Sequence, residues 1–236
     1  MVAVSLAALA VIGAPLLTPG RPLRVLCIGL GGGALASFLA QAVPHCRVDA
    51  VELSPEVLAA AREGMGFAEG PRLRAILGDG AAVARGAAEG AEEDAGAYDA
   101  VLIDAADERG RVPDVFLAPD GDFASALSGG LLARRAGLVA VNLQPEDDAG
   151  RALGSWARAL AERGAGTGFC IREPSLTLDG FEAPGTGNIV AVQLCGERAA
   201  VPKGELPARL AAAAAEVQAA TSSPYDLAEL AVNELE

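Results

Sequence analysis

Five short runs of apolar residues recur along this chain, at positions 23–29, 47–53, 72–78, 98–104 and 137–143. Nearly continuous apolar runs of this length are typical of parallel strands that are covered on both faces. The stretches between them are rich in alanine and leucine and predict helices at 34–42, 55–63, 80–88, 122–135 and 147–163. Ser54 followed by Pro55 is a cap with proline at the first helical position. The alternation predicts an α/β fold with a doubly wound parallel sheet.

Two further strand-like runs, at 168–173 and 188–194, follow without a convincing helix between them. Their connection, SLTLDGFEAPGTG, is rich in turn-forming residues, which favours an antiparallel hairpin at the sheet edge over another crossover unit. We therefore predict a Rossmann-like, mostly parallel sheet of seven strands with a terminal antiparallel hairpin. This hairpin departs from the plain dinucleotide-binding pattern.

The two ends of the chain predict helices that pack on this sheet. Residues 1–17 carry no charge, but they lack the basic segment of a signal peptide, and Gly13 and Pro15 interrupt the apolar run before it could span a bilayer. We expect a buried helix there rather than a membrane anchor. Segments 206–220 and 224–235 predict two helices. The expected organisation is one domain over 1–200 and a C-terminal helical tail over 201–236.

The charge of the chain narrows its classes of binding partner, and its cysteines bear on metal sites and disulfides. The chain has 18 basic and 31 acidic residues, a net charge of −13, and its basic residues are scattered, which argues against binding nucleic acid and favours a cationic partner. Its four cysteines are widely separated and form no CxxC motif, so the sequence signals neither a zinc site nor a disulfide framework. No metal site is predicted, and a cytoplasmic location is the default expectation.

The stretch LCIGLGGGALASFL, residues 26–39, joins the first strand to the first following helix. Gly29, Gly31 and Ala34 fit the pattern G-x-G-x-x-G/A, in which glycines let a ligand meet the backbone and a helix N-terminus supplies amide donors. Glu52 ends the second strand, where a carboxylate can accept both hydroxyls of an adenosine ribose. These features fit NAD and S-adenosylmethionine equally.

Polar groups also follow the third and fourth strands. Asp79 and Gly80 place a carboxylate and a bare backbone where an adenine amino group could bind, although Asp79 is also a natural helix cap. Asp104 ends the fourth strand. Because open α/β sheets bind ligands at the carboxyl ends of their strands, we expect these groups to share one site.

The segments IGLGGGAL, VDAVELSPEV, ILGDGA and YDAVLIDAAD resemble the motifs of class I S-adenosylmethionine-dependent methyltransferases. The likeness is to their spermidine-synthase-like branch, and within it to the methyltransferase-like proteins that modify elongation factor 1-alpha. The resemblance implies S-adenosyl-L-methionine as cofactor. It assigns Asp104 to the reacting centre and implies that the cofactor is held by Gly29, Gly31, Gly33, Glu52, Leu53, Asp79, Gly80 and Asp104.

Methyl transfer to an amine requires at most two carboxylates from the protein. Methyl transfer from a sulfonium depends on alignment and on a neutral nucleophile, so an amine acceptor must first lose its proton. Asp104 could orient the amine and take the proton through water, and Asp107 could attract the amine. We therefore predict Asp104 and Asp107 as catalytic, with a solvated loop residue as the alternative for Asp107.

The first functional hypothesis is a methyltransferase that acts on an amine, either a protein lysine or N-terminus or a small molecule. The alternatives are an aminopropyl transferase, a cofactor-binding scaffold without catalysis, and an NAD-dependent oxidoreductase, which the hairpin disfavours. The motif DAAD, residues 104–107, resembles that of polyamine synthases. Gly32, however, stands where those enzymes carry an acidic residue, and the chain has no room for their N-terminal β-domain. A homodimer is a further expectation.

Overall fold

A seven-stranded sheet lies at the centre of the protein, in a computed structural model that describes residues 1–16, 21–91, 96–172, 177–178, 181–182, 187–221 and 226–227. The strands are β1 Leu23–Ile28, β2 Cys46–Glu52, β3 Leu73–Leu77, β4 Ala100–Ile103, β5 Gly137–Leu143, β6 Ala165–Arg172, β7 Thr177–Leu178, β8 Phe181–Glu182 and β9 Ile189–Cys195. The helices are α1 Val2–Val11, α2 Ala34–Ala42, α3 Pro55–Gly64, α4 Gly80–Glu89, α5 Asp122–Gly129, α6 Ala149–Ala159 and α7 Leu206–Thr221. Short 3-10 helices span Asp114–Phe116 and Ala161–Arg163.

The order of strands in the sheet is β3-β2-β1-β4-β5-β9-β6. Strands β1 to β5 pair in parallel, whereas β9 is antiparallel to both of its neighbours, β5 and β6. The predicted mostly parallel sheet with a terminal antiparallel hairpin is confirmed. The last strand of the sheet in sequence inserts between β5 and β6, and β7 pairs with β8 in a separate small ribbon.

Helices cover both faces of the sheet, which explains the continuous apolar strands. In β1, Val25 and Cys27 pack into a core shared with α1, α2 and α7, while Leu26 and Ile28 pack into a core shared with α4, α5 and α6. The N-terminal segment is the predicted buried helix, with residues 3–9 all buried. Within the described part of the chain, no helix combines the length and apolar character needed to cross a membrane.

Two predicted helices differ clearly from the structure in their bounds, and a third is not tested by it. The helix predicted over 122–135 is too long, because α5 ends at Gly129 and Gly130 adopts a left-handed φ of +114° that terminates it. Helix α6 begins at Ala149, because the side chain of Asp148 accepts a hydrogen bond from the Arg151 amide and caps it. The helix predicted over 224–235 lies almost wholly outside the described residues. Helix α7 packs in the same core as α1.

Candidate functional site

A cleft of about 400 Å³ opens at the carboxyl ends of the central strands. Pockets of this size suit small-molecule ligands, and the carboxyl edge is where open α/β sheets bind them. The strand order brings the ends of β1, β2, β3 and β4 side by side. Most of the predicted site residues line this cleft, namely Gly29, Gly31, Glu52, Leu53, Asp79, Gly80 and Asp104.

The glycine loop after β1 combines two different reasons for glycine. Gly29 has a φ of +93°, and a Cβ there would lie 2.2 Å from the carbonyl oxygen of Asp104, so the fold itself requires glycine. Gly31 has a φ of +53°, but apart from its two chain neighbours no atom of the described residues lies within 4 Å of the position of its Cβ. The backbone at Gly31 therefore faces open space in the cleft, as expected where a ligand approaches the main chain.

Gly33 is explained by packing instead. It caps α2 with a φ of +80°, and a Cβ there would lie 2.4 Å from the ring of Phe67. The residue is buried and is not among those that line the cleft. A direct contact between Gly33 and the cofactor stays a prediction.

Glu52 connects the glycine loop to the turn after β2. Its Oε2 accepts a hydrogen bond from the Leu30 amide at 3.1 Å, and its Oε1 accepts one from the Ser54 amide at 2.9 Å. The residue is only 9% exposed, yet it lines the cleft. A carboxylate can accept about four hydrogen bonds, so Glu52 retains acceptor capacity for a ligand.

The adenine end of the predicted site pairs a carboxylate with apolar side chains. Asp79 caps α4, and its Oδ1 accepts a hydrogen bond from the Ala82 amide at 2.9 Å. The cap and a ligand contact are compatible, because Asp79 is exposed in the cleft and a carboxylate has a second oxygen. Leu53 and Val57, which are 71% and 38% exposed, supply an apolar wall.

Asp104 lies at the other end of the cleft and is held by a residue that the sequence analysis missed. Its Oδ1 accepts a hydrogen bond from Asn142 Nδ2 at 2.9 Å, and Asn142 Oδ1 accepts one from Asn188 Nδ2 at 3.1 Å. The only sequence signal for Asn142 was a polar residue inside the apolar run GLVAVNL.

Asp107 has a local structural role. Its Oδ1 accepts hydrogen bonds from the amides of Arg109 at 2.8 Å and Arg111 at 3.0 Å, closing a turn. The hydrogen bonds from the Arg111 and Arg109 amides hold the pKa of Asp107 below its ordinary value. The residue is exposed and does not line the cleft. Its catalytic role stays a prediction, and a solvated loop residue fits this geometry.

The segment after β4 forms a wall of the cleft through Pro113, Val115 and Phe116. The Trp156 indole, fully buried, donates to the carbonyl of Phe116 at 2.9 Å. Arg111 contacts Asp147 with a shortest separation of 2.5 Å, and the Asp147 side chain is only 2% exposed. These contacts attach the wall to α6 and to the loop before it. Sequence reasoning did not pair Arg111 with Asp147.

Comparison with solved structures defines the class of fold. The chain is 24% identical to human methyltransferase-like protein 13 in complex with SAH, with a TM-score of 0.62 over 93% of this chain and 90% of that one. It is 21% identical to a probable spermidine synthase from Corynebacterium glutamicum, with a TM-score of 0.57 over 86% of this chain and 65% of that one. The chain thus has the Rossmann-like fold of class I methyltransferases, as predicted.

Sequence comparison adds a more particular likeness. Over 60 residues, 25% of this chain, it is 48% identical to the eEF1A lysine and N-terminal methyltransferase of Danio rerio. That match covers 9% of the relative's length, so the similarity concerns a small part of it. No family model matches the chain. The resemblance to proteins that modify elongation factor 1-alpha is confirmed at the level of sequence similarity.

Proposed function

We propose that this chain is an S-adenosylmethionine-dependent methyltransferase that acts on an amine, either a lysine side chain or the N-terminus of a protein. One observation carries the proposal: a single cleft joins an open glycine backbone, a ribose-type carboxylate and an adenine-type carboxylate to Asp104 at its far end. The sequence relative named as an eEF1A lysine and N-terminal methyltransferase supports both the reaction and the class of acceptor.

The residues of the cleft fit the cofactor group by group. The open backbone at Gly31 suits the methionine and ribose part, since no side-chain atom occupies that space. Glu52 retains lone pairs for the ribose hydroxyls beyond its two backbone hydrogen bonds. Asp79 can accept from an adenine amino group while it caps α4. Leu53 and Val57 would cover the faces of the base.

The bound cofactor would supply a methyl group on a sulfonium sulfur. Asp104 then has two tasks, to orient the acceptor amine and to receive its proton through water. An α-amino group, with an ordinary pKa of about 7.7–8.0, loses its proton more readily than a lysine near 10.4, and burial lowers either pKa. The exposed carboxylates of Asp104, Asp107 and Glu108 favour an acceptor that arrives as a cation.

An aminopropyl transferase is the second candidate. The fold shared with a probable spermidine synthase and the motif DAAD favour it. Gly32 counts against it, because this exposed loop position offers no carboxylate to a polyamine. Such an enzyme would use the decarboxylated cofactor, so the two candidates differ in ligand preference.

Calorimetry on one purified sample tests the cofactor. We expect S-adenosylmethionine and S-adenosylhomocysteine to bind with dissociation constants on the order of micromolar, and NAD to bind more weakly. Tighter binding of the decarboxylated cofactor would favour the aminopropyl transferase. Tighter binding of NAD than of either sulfur ligand would refute both candidates.

Transfer of a labelled methyl group into cell extract tests the reaction and the role of Asp104. We expect label in the protein fraction, and we expect Asp104→Asn to slow transfer by about 10² to 10⁴ while cofactor affinity stays nearly intact. Glu216→Gln is the matched control, since it removes an exposed carboxylate on α7 that does not line the cleft. Label in nucleic acid, or parent-like transfer by Asp104→Asn, would contradict the proposal.

A further inference from the structure

A chain of side-chain hydrogen bonds crosses three neighbouring strands at the reacting end of the cleft. It runs from Asn188 Nδ2 to Asn142 Oδ1 at 3.1 Å, and from Asn142 Nδ2 to Asp104 Oδ1 at 2.9 Å. Asp104 follows β4, Asn142 lies in β5, and Asn188 directly precedes β9. The strand order β4-β5-β9 therefore brings together three residues that are far apart in sequence.

The direction of this hydrogen-bond chain follows from the chemistry of Asp104. An ionised carboxylate only accepts hydrogen bonds, so Asn142 must turn its NH₂ group toward Asp104. The Asn142 carbonyl oxygen then faces Asn188, and a donor is needed there. Asn188 supplies that donor with its own NH₂ group. Both asparagine side chains therefore have one orientation, in which each NH₂ group faces an acceptor oxygen.

We propose that Asn142 and Asn188 are positioning residues that hold one oxygen of Asp104 and leave the other for the acceptor amine. The inference rests on the proposed function for the identity of the acceptor, but the hydrogen-bond chain itself does not. Oδ1 of Asp104 is occupied by Asn142, and Oδ2 has no hydrogen-bond partner among the described residues. A carboxylate fixed through one oxygen presents the second in one direction, which favours alignment of the nucleophile.

Among the described residues, the two amides have no separate structural use. Both residues are only partly buried at the strand ends, and the side-chain hydrogen bonds of these amides run to each other and to Asp104. The register of β5 and β9 is maintained by backbone pairing, with Asn142 opposite Val190 and Leu143 opposite Ile189. An apolar residue at position 142 would preserve this pairing and remove the side-chain contacts to Asp104 and Asn188.

Selective ¹⁵N labelling of asparagine tests the chain without reference to activity. The sequence contains three asparagines, at positions 142, 188 and 233, so the side-chain spectrum has three NH₂ pairs, and single Asn→Ala variants assign them. We expect the chemical shifts of the Asn142 NH₂ pair to change in Asp104→Ala and also, as a separate variant, in Asn188→Ala. An Asn142 pair that is unchanged in both variants, while the fold is retained, would overturn the inference.

Kinetics of methyl transfer test the consequence for catalysis. Asn142→Leu should lower kcat about ten- to a hundredfold, the value of one hydrogen bond to a charged group, with KM for the cofactor nearly unchanged. Asn188→Ala should lower kcat only a few-fold, since it removes a bond between neutral groups. Asn188→Asp should be the more damaging change at position 188, because a carboxylate there attracts the Asn142 NH₂ group and turns its carbonyl oxygen toward Asp104.

The two proposals fail in different ways. A parent protein that binds the cofactor but labels no acceptor would refute the proposed function, while the spectrum of the asparagine side chains would still decide the hydrogen-bond chain. An active parent whose Asn142→Leu and Asn188→Asp variants keep the parent kcat would refute the positioning role and leave the proposed function standing.

Discussion

Glu52→Gln is the most informative single substitution in the cleft. The two carboxylate oxygens of Glu52 accept from two different loops, Oε2 from the Leu30 amide and Oε1 from the Ser54 amide. Glutamine has the same shape but only one accepting oxygen, and its NH₂ group would face a backbone N–H in either orientation. One of the two hydrogen bonds must therefore be lost.

The expected magnitude follows from those two contacts. A hydrogen bond to a charged group contributes about 1.5–3 kcal/mol, and a chain of this size loses about 2–4 °C in Tm per kcal/mol, which gives a fall of about 3–12 °C. The glycine loop is one of the two partners, so cofactor affinity should fall as well. Loss of one charge-assisted hydrogen bond to the ribose corresponds to a decrease of about tenfold or more.

Thermal unfolding and calorimetry with S-adenosylhomocysteine measure the two effects on the same sample. The matched control is Asp79→Asn, the same chemical change in the same cleft. Asp79 accepts its backbone hydrogen bond through Oδ1 alone, so the amide can keep the helix cap and Tm should stay close to the parent value. A Glu52→Gln protein with the parent Tm and parent affinity would show that Glu52 neither supports the loop nor binds the ribose.

Three further predictions concern the glycine loop, the cap of α4 and the turn at Asp107. Gly29→Ala should destabilise the fold strongly, because its Cβ would lie 2.2 Å from the Asp104 carbonyl oxygen. Gly31→Ala has open space around it, so it should cost less stability and weaken cofactor binding more. Chemical denaturation and calorimetry measure the two effects, and equal stability losses in the two variants would contradict the assignment. Asp79→Ala should cost about 1 kcal/mol through the lost cap of α4, measured by denaturant unfolding, and an unchanged midpoint would show that the cap is dispensable. The pKa of Asp107 is lowered below 3.8, so its stabilising effect is complete above pH 3.8 and is lost as pH falls through the lowered pKa. The difference in unfolding free energy between the parent and Asp107→Ala should therefore be present at pH 7 and become smaller in acid. A difference that does not change with pH would refute this prediction.

The loop after β4 shows where local sequence information was insufficient. The family resemblance and the charges of residues 104–107 suggested two catalytic carboxylates. The structure separates them, because Asp104 lines the cleft while Asp107 turns back to the amides of Arg109 and Arg111. A short motif does not encode side-chain direction in an irregular loop, since backbone hydrogen bonds within the turn decide it.

The pattern of apolar residues was sufficient to predict the parallel strands, their intervening helices and the polar groups at the strand ends. Burial on both faces requires continuous apolar strands, and parallel strands bring their carboxyl ends to one edge, so Glu52, Asp79 and Asp104 could be placed together from sequence alone. Only the tertiary structure shows which distant residues lie beside Asp104. Insertion of β9 beside β5 brings Asn188 to Asn142, and packing against Phe67 gives Gly33 a structural role. Such contacts depend on strand order and on the packing of distant segments, and the local pattern of apolar residues encodes neither.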